Sequence, residues 1–338
     1  MAKLSRCWPL PRRCPGSRDS ALHRAEIAGL GALSALWLAA ALALPSCAGA
    51  DVDSGSDATP GAAAGADAGA DATGLPADPA ACEGVCGGKL YVLDSLTLSA
   101  PGADGKAAGF DLDGETSTAK TPLGCGFSDL TGHGGQPGVD NQFAKVLKIL
   151  PSQVASTLPD ALMTSIRAGG LTVLLEEVGA PGMPTWAVVL REGKGKPLLA
   201  TDGSMLPNQT FQLSDSPMLG HSTTLQTEGE FVVSAPFELQ FRMIFVATPL
   251  AVVLHNAQIR LRSDGAGGLV GEVGGIISVA DALVLVGAIG GCDQLLHDQL
   301  MEAVPAMADV QRTPGGACDG LSVGFGLHAV PAFVFDTH

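Results

Sequence analysis

Aromatic and charged side chains are both scarce in this chain. Tyrosine occurs once and tryptophan three times in 338 residues, and Trp186 and Tyr91 alone lie beyond residue 47. Sites that handle sugars stack rings on aromatic side chains, so the shortage argues against carbohydrate chemistry. Basic residues are outnumbered, 19 against 34 acidic ones, for a net charge of −15. An acidic surface repels phosphate backbones and excludes nucleic acid as a partner. Pairs spaced H-x-x-x-H are missing, and the cysteines do not form a close set of four such as a zinc site needs.

The chain does carry an address at its start. Lys3, Arg6, Arg12, Arg13, Arg18 and Arg24 precede an uncharged Ala/Leu/Gly run from Ile27 to Leu44. A basic start, an apolar middle and small residues before a cut site describe an export signal over residues 1–46. The run is also long enough to span a bilayer uncleaved. Leu44-Pro45-Ser46-Cys47 then resembles the lipobox of bacterial lipoproteins, although Pro45 is a less usual occupant of its position. The resemblance covers the signal and tether only. It implies that Cys47 is alkylated by diacylglycerol and becomes the first residue after cleavage. Ala48 rather than Asp after that cysteine implies the outer membrane, in a Gram-negative cell envelope. Two or three acyl chains on one residue suffice to hold a water-soluble body at a lipid bilayer.

Residues 47–81 are almost entirely Ala, Gly, Asp, Ser, Thr and Pro after the cysteine, with no aromatic and no basic residue. Such a segment buries too little apolar surface to offset its ordering entropy, and its acids repel one another. It reads as a solvated tether. The first 46 residues hold six basic and two acidic side chains, so residues 47–338 carry −19.

Residues 82–338 read as one β-rich globular domain, with a small Asp/Gly-rich subregion at 82–151. "KLYVLDSLTL" (89–98), "FELQFRMIF" and "HNAQIRLRSD" alternate as strands, and "LTVLLEEV", "TWAVVLRE", "GLVGEVGGII" and "LSVGFGLHAVPAFVF" read as strands too. Helical spacing appears at Val139–Leu150, Val154–Arg167, Val279–Ile289 and Asp293–Met307. The class is mainly β with some α: an antiparallel β-sandwich or jelly-roll-like body with a few peripheral helices.

Five cysteines remain after Cys7, Cys14 and Cys47: Cys82, Cys86, Cys125, Cys292 and Cys318. Export favours disulfides. Cys292 and Cys318 flank a helix and are expected to pair. Cys125 is expected to bond Cys82 or Cys86, leaving one odd thiol.

The sharpest chemical feature is "GFDLDGETS" followed by "CGFSDLTGHGGQPGVDN". Asp111, Asp113, Asp129, Asp140 and Asn141 offer oxygen donors among glycines, the chemistry calcium selects. The loop lacks the remaining acids of an EF-hand, and Asp and Gly are favoured in plain turns as well. "GLSVG" (320–324) has the spacing of a nucleophile elbow but lacks a downstream helix, acid and histidine at workable distance. Glu176, Glu177, Glu228, Glu230, Glu238 and Glu272 are dispersed among strands, where solvent-facing positions account for them. The expectation is therefore a membrane-anchored exported lipoprotein presenting a β-rich binding or structural module, with no assignable catalytic residue. A hydrolase assembled from dispersed carboxylates and a carrier of an apolar ligand are the alternatives, the latter marked by a dry, ligand-sized cavity.

Overall fold

Apolar strands build the body of this protein, and they do so as a single large sheet. The structure, a computed structural model, describes residues 85–335 apart from 99, 121–124, 150–151, 180–186, 224, 246–247, 290–293 and 314. These belong to one unit, Ala68–His338. The expected signal 1–46, Cys47, the tether 47–81, Cys82 and Cys292 lie outside the described residues. Among the described residues no helix is long and apolar enough to cross a membrane.

The chain opens with β1 (Lys89–Thr97), the short β2 (Lys106–Ala107) and β3 (Thr131–Gly132), then α1 (Gln142–Ile149) and α2 (Ser152–Ala168). Eight strands come next: β4 (Val173–Val178), β5 (Ala187–Lys194), β6 (Gln209–Ser222), β7 (Leu225–Glu228), β8 (Phe231–Ser234), β9 (Phe237–Phe245), β10 (Thr248–Ser263) and β11 (Leu269–Ser278). Two helices, α3 (Val279–Ile289) and α4 (Gln294–Ala306), precede the closing strand β12 (Gly320–Phe335). Among the described residues the fold is thus mainly β with four helices, as the residue periodicity predicts.

Ten strands share one mixed sheet, and part of it closes on itself. β1 pairs with β4, β4 with β5, β5 with β6; β6 runs parallel to the end of β12, and β12 returns to β1. The first half of β12 carries β11, which carries β10. A bulge at Asn256, whose φ is 50°, breaks β10 so that one half pairs with β9 and the other with β8. Strands of the ring and of the extension share one apolar core with α2, α3 and α4. The inward set expected for β10, Ala257, Ile259 and Leu261, is buried; a leucine or isoleucine so placed contributes about 1.5–3 kcal/mol.

Caps set the helix starts. Val139 and Asp140 form bridges to Leu130 and Phe110 rather than a first helical turn. Asn141 Oδ1 accepts the Ala144 amide at 3.0 Å, so α1 begins at Gln142, three residues later than its apolar spacing suggests. Ser278 Oγ accepts the Asp281 amide at 3.0 Å and its hydroxyl donates to Asp281 Oδ2 at 2.7 Å, which caps α3.

The disulfides differ from the expected pairing. Cys318 is bonded to Cys125, not to Cys292, and Cys125 is therefore not bonded to Cys82 or Cys86. Cys86 is disulfide-bonded too. The Cys125–Cys318 bond spans 193 residues of chain. Proximity in sequence favoured the Cys292 partner, but the loop of Cys125 and the approach to β12 are brought together only by the sheet. Closing a longer loop removes more denatured-state entropy.

Candidate functional site: an apolar cavity beside an acidic cluster

Two periodicities meet over the face of the sheet that the helices cover. From β10, Leu250, Val252 and Leu254 point inward at period two, and from β12, Leu321, Val323 and Phe325. From above come Ala282 and Val286 of α3 and Leu300 and Val304 of α4, each pair at i, i+4, with Phe143 and Val146 of α1. They line a partly open cavity of about 130 Å³ whose lining is almost entirely carbon. No hydrogen-bonding group fixes a polar ligand there. A cavity with so apolar a lining suits a small apolar guest.

Next to it, across α1, lies the Asp/Gly loop. Asp111, Asp113 and Asp140 bring one carboxylate oxygen each within 4.8 Å of the others, the arrangement expected of three ligands to one ion. Local turns hold them. Asp111 Oδ1 accepts the Gly114 amide at 2.7 Å, and Asp113 Oδ1 the Glu115 amide at 2.9 Å. Asp140, bridged to Phe110, accepts the Leu112 amide at 2.7 Å. Gly138, at φ 79°, turns over Asp111, and a β-carbon there would lie 3.2 Å from Asp111 Oδ2. Asp113 Oδ2 is buried and has no hydrogen-bond partner among the described residues. Asp129 is not one of the converging three; it accepts the Ser117 amide and shares a hydrogen bond with Asp140. Asn141 is engaged with the backbone. Its Oδ1 caps α1, and its amide donates to the Ala108 and Gly324 carbonyls at 2.7 and 3.2 Å.

Sequence reasoning missed Asp309, which lies just past α4 and enters from the far side. Its carboxylate accepts the Ser322 amide at 2.8 Å and the Ser322 hydroxyl. Burial pushes Asp140 up to about 8, with the charges of Asp113, Asp309 and Asp129 adding to it. Burial also pushes Asp309 up to about 6 and raises Asp111 and Asp129. Against these stands Lys145, which donates to the Ser128 carbonyl and is itself held below its ordinary value by burial. So many carboxylates at so little positive charge are a site for protons or for a cation.

Ser322 has no access to a substrate. It is fully buried in β12, and its hydroxyl donates to Asp309 while accepting the Gln142 amide at 2.8 Å. Gly324 beside it is a close-packing position: a β-carbon would lie 2.3 Å from the Ala108 carbonyl oxygen. The dispersed glutamates have partners of their own. Glu228 and Glu272 face Arg260, Glu230 faces Arg262, Glu238 faces His255, and Glu177 accepts the Tyr91 hydroxyl. Glu176 departs from the expectation of a solvent-facing acid: it is wholly buried against Arg191. Set against known proteins, the chain matches no family model, no curated protein and no solved structure.

Proposed function

We propose that this chain is an exported lipoprotein, anchored to the cell envelope through Cys47, whose β-rich domain holds a small apolar molecule between its sheet and its helices. The observation that carries this reading is the cavity of about 130 Å³ lined almost wholly by carbon. Eleven of its wall positions come from two strands and two helices, and a polar group at any of them would change what enters. A single aromatic ring or a short alkyl segment has the right size and chemistry. The glutamates named for the hydrolase alternative are engaged in ion pairs and hydrogen bonds. The expected result is uptake of benzene or a short alkane, read as a rise in Tm with ligand concentration. Ala282→Leu fills the cavity and is expected to abolish that rise while leaving the unliganded Tm within a few degrees. An equal ligand-induced rise in the variant removes the reading.

A second observation favours calcium as a stiffener of the same domain. Asp111, Asp113 and Asp140 converge, and Asp113 Oδ2 has no partner among the described residues. Oxygen donors on Gly-rich turns suit calcium's need for several carboxylate and carbonyl ligands. Through Asn141 and α1 the loop also fixes Phe143 and Val146 in the cavity wall. Calorimetric titration with calcium is expected to show one site in the wild type and none in Asp113→Ala. Identical heats in the two proteins exclude it.

A further inference from the structure

Seven large apolar side chains are well exposed among the described residues, and five of them gather at one end of the domain: Leu198, Leu199, Leu206, Phe333 and Phe335. Two chain segments bring them there. The loop after β5 is tied to the end of β12 by the Asn208 amide, which donates to the Pro331 carbonyl at 2.6 Å. The Gln209 side chain holds the loop in shape, bonded to the backbone of Leu198 and Leu206. Gln209 to Gln212 then run parallel beside Ala332 to Phe335. Ala332 turns inward and is buried, so Phe333 and Phe335 share the outward face, 56% and 61% exposed. Two phenylalanines so exposed on one strand, with three leucines nearby, form the kind of patch that marks a contact surface.

The chain enters the domain at this same end. Val85, Gly88 and Lys89 share a surface groove with Phe333 and Val334. The 84 residues that precede Val85 include the apolar run Ile27–Leu44 and Cys47. Whatever bilayer those residues reach is therefore joined to the end of the domain that carries the patch. Lys89 and Lys196 lie on the same segments, with Asp202 the acid of the loop, and lysines bury their stems while keeping the charge at headgroup level. A second copy of the chain is a poorer occupant, since each copy carries −19 beyond residue 46 and repels the other.

We propose that this end is the bilayer-facing surface of the domain, with Phe333, Phe335, Leu198, Leu199 and Leu206 seated among lipid headgroups and the first acyl carbons. The proposal rests on the anchored reading above and adds an orientation to it. Val284 marks the opposite end: it is 60% exposed on α3, which continues directly from the Ser278–Gly320 pairing at the start of β12.

The test uses the full chain, processed by its host, in phosphatidylcholine vesicles with bromine on the upper acyl carbons. Phe333→Trp and Val284→Trp are compared with the parent, which supplies the background of the native tryptophans. The expected result is a blue shift and loss of fluorescence for the tryptophan at 333 in brominated vesicles, and neither at 284. Flotation with the vesicles but no quenching at 333 overturns the orientation and leaves the anchor standing. An unmodified Cys47 by intact mass, with no flotation, removes the anchor and the orientation together. A vesicle-free dimer that Phe333→Ser with Phe335→Ser converts to a monomer assigns the patch to a second copy and overturns the proposal.

Discussion

Replacing Glu176 with alanine is expected to cost the fold about 3–5 kcal/mol, the penalty for stranding one partner of a buried ion pair. Glu176 and Arg191 are 0% and 1% exposed, and Arg191 Nε donates to Glu176 Oε2 at 3.2 Å. The other carboxylate oxygen accepts two backbone amides, Cys86 at 2.5 Å and Gly88 at 3.2 Å. The glutamate thus clamps the first residues of the domain to β4 and β5, and Arg191 reaches on to Cys86 Sγ at 3.4 Å. Removing it leaves an unpaired guanidinium inside the protein and two amides without an acceptor. Since domains hold only about 5–15 kcal/mol in all, the variant falls near its unfolding threshold at ambient temperature. The urea midpoint at unchanged slope reads the loss. Glu176→Leu combined with Arg191→Met is expected to recover part of it, because apolar residues replace both charges; the amides of Cys86 and Gly88 account for the remainder. A loss under about 1 kcal/mol for Glu176→Ala, typical of a surface pair, contradicts the burial.

Glu176 also shows where sequence reading stops. In "LLEEV" the two glutamates occupy successive strand positions, and successive side chains point to opposite faces. One of them must share a face with Leu174, but alternation does not say which face is inside. Nor does it name Arg191, which becomes the diagonal neighbour of Glu176 only once Leu174 is set opposite Arg191 by the β4–β5 register. β9 and the second half of β10 were legible because apolar and polar residues alternate there. β6 was not: Ser214, Asp215, Ser216 and Pro217 interrupt it, and it is a strand because β5 and β12 pair with it. The acidic loop was legible in part. Turn chemistry grouped Asp111, Asp113, Asp129, Asp140 and Asn141, of which Asp111, Asp113 and Asp140 converge, whereas Asp309 arrives from beyond α4 by tertiary packing. The Cys125–Cys318 bond was hidden for the same reason. The cavity was foreshadowed only by the apolar character of the chain, since a void depends on how helices seat on a sheet.

Raising the pH from about 4 to 8 without divalent cations is expected to weaken the fold. Burial lifts Asp140 to about 8, helped by neighbouring carboxylates, and lifts Asp309 to about 6. In the unfolded chain both titrate near 3.9. The folded protein therefore keeps protons that the unfolded chain has already lost. The stability these protons supply is complete below about 4 and drains away as pH rises through about 6 and then about 8. Each unit of upward shift is worth about 1.4 kcal/mol, so the two sites together account for several. His328 acts in the same direction. Burial pulls its imidazole down, but hydrogen bonds to Asp94 at 2.7 Å and Asp264 at 3.2 Å outweigh that and hold it above its ordinary value. Asp140→Asn separates the two contributions. It keeps an acceptor for the Leu112 amide, cannot ionise, and is expected to remove the loss between pH 6 and 8 that remains in a His328→Asn protein. Calcium gives a second separation. It binds carboxylates only after they have lost their protons, so millimolar calcium is expected to reverse the decline above pH 6 in the wild type and to do nothing for Asp140→Asn. Stability that rises between pH 5 and 8 in chelator contradicts the burial of these acids. A decline that calcium leaves untouched retains the protons and discards the metal. The cluster is built either way on the same physical fact: carboxylates taken out of water need a proton or a cation, and Lys145, half-withdrawn from solvent itself, is too little positive charge to serve them all.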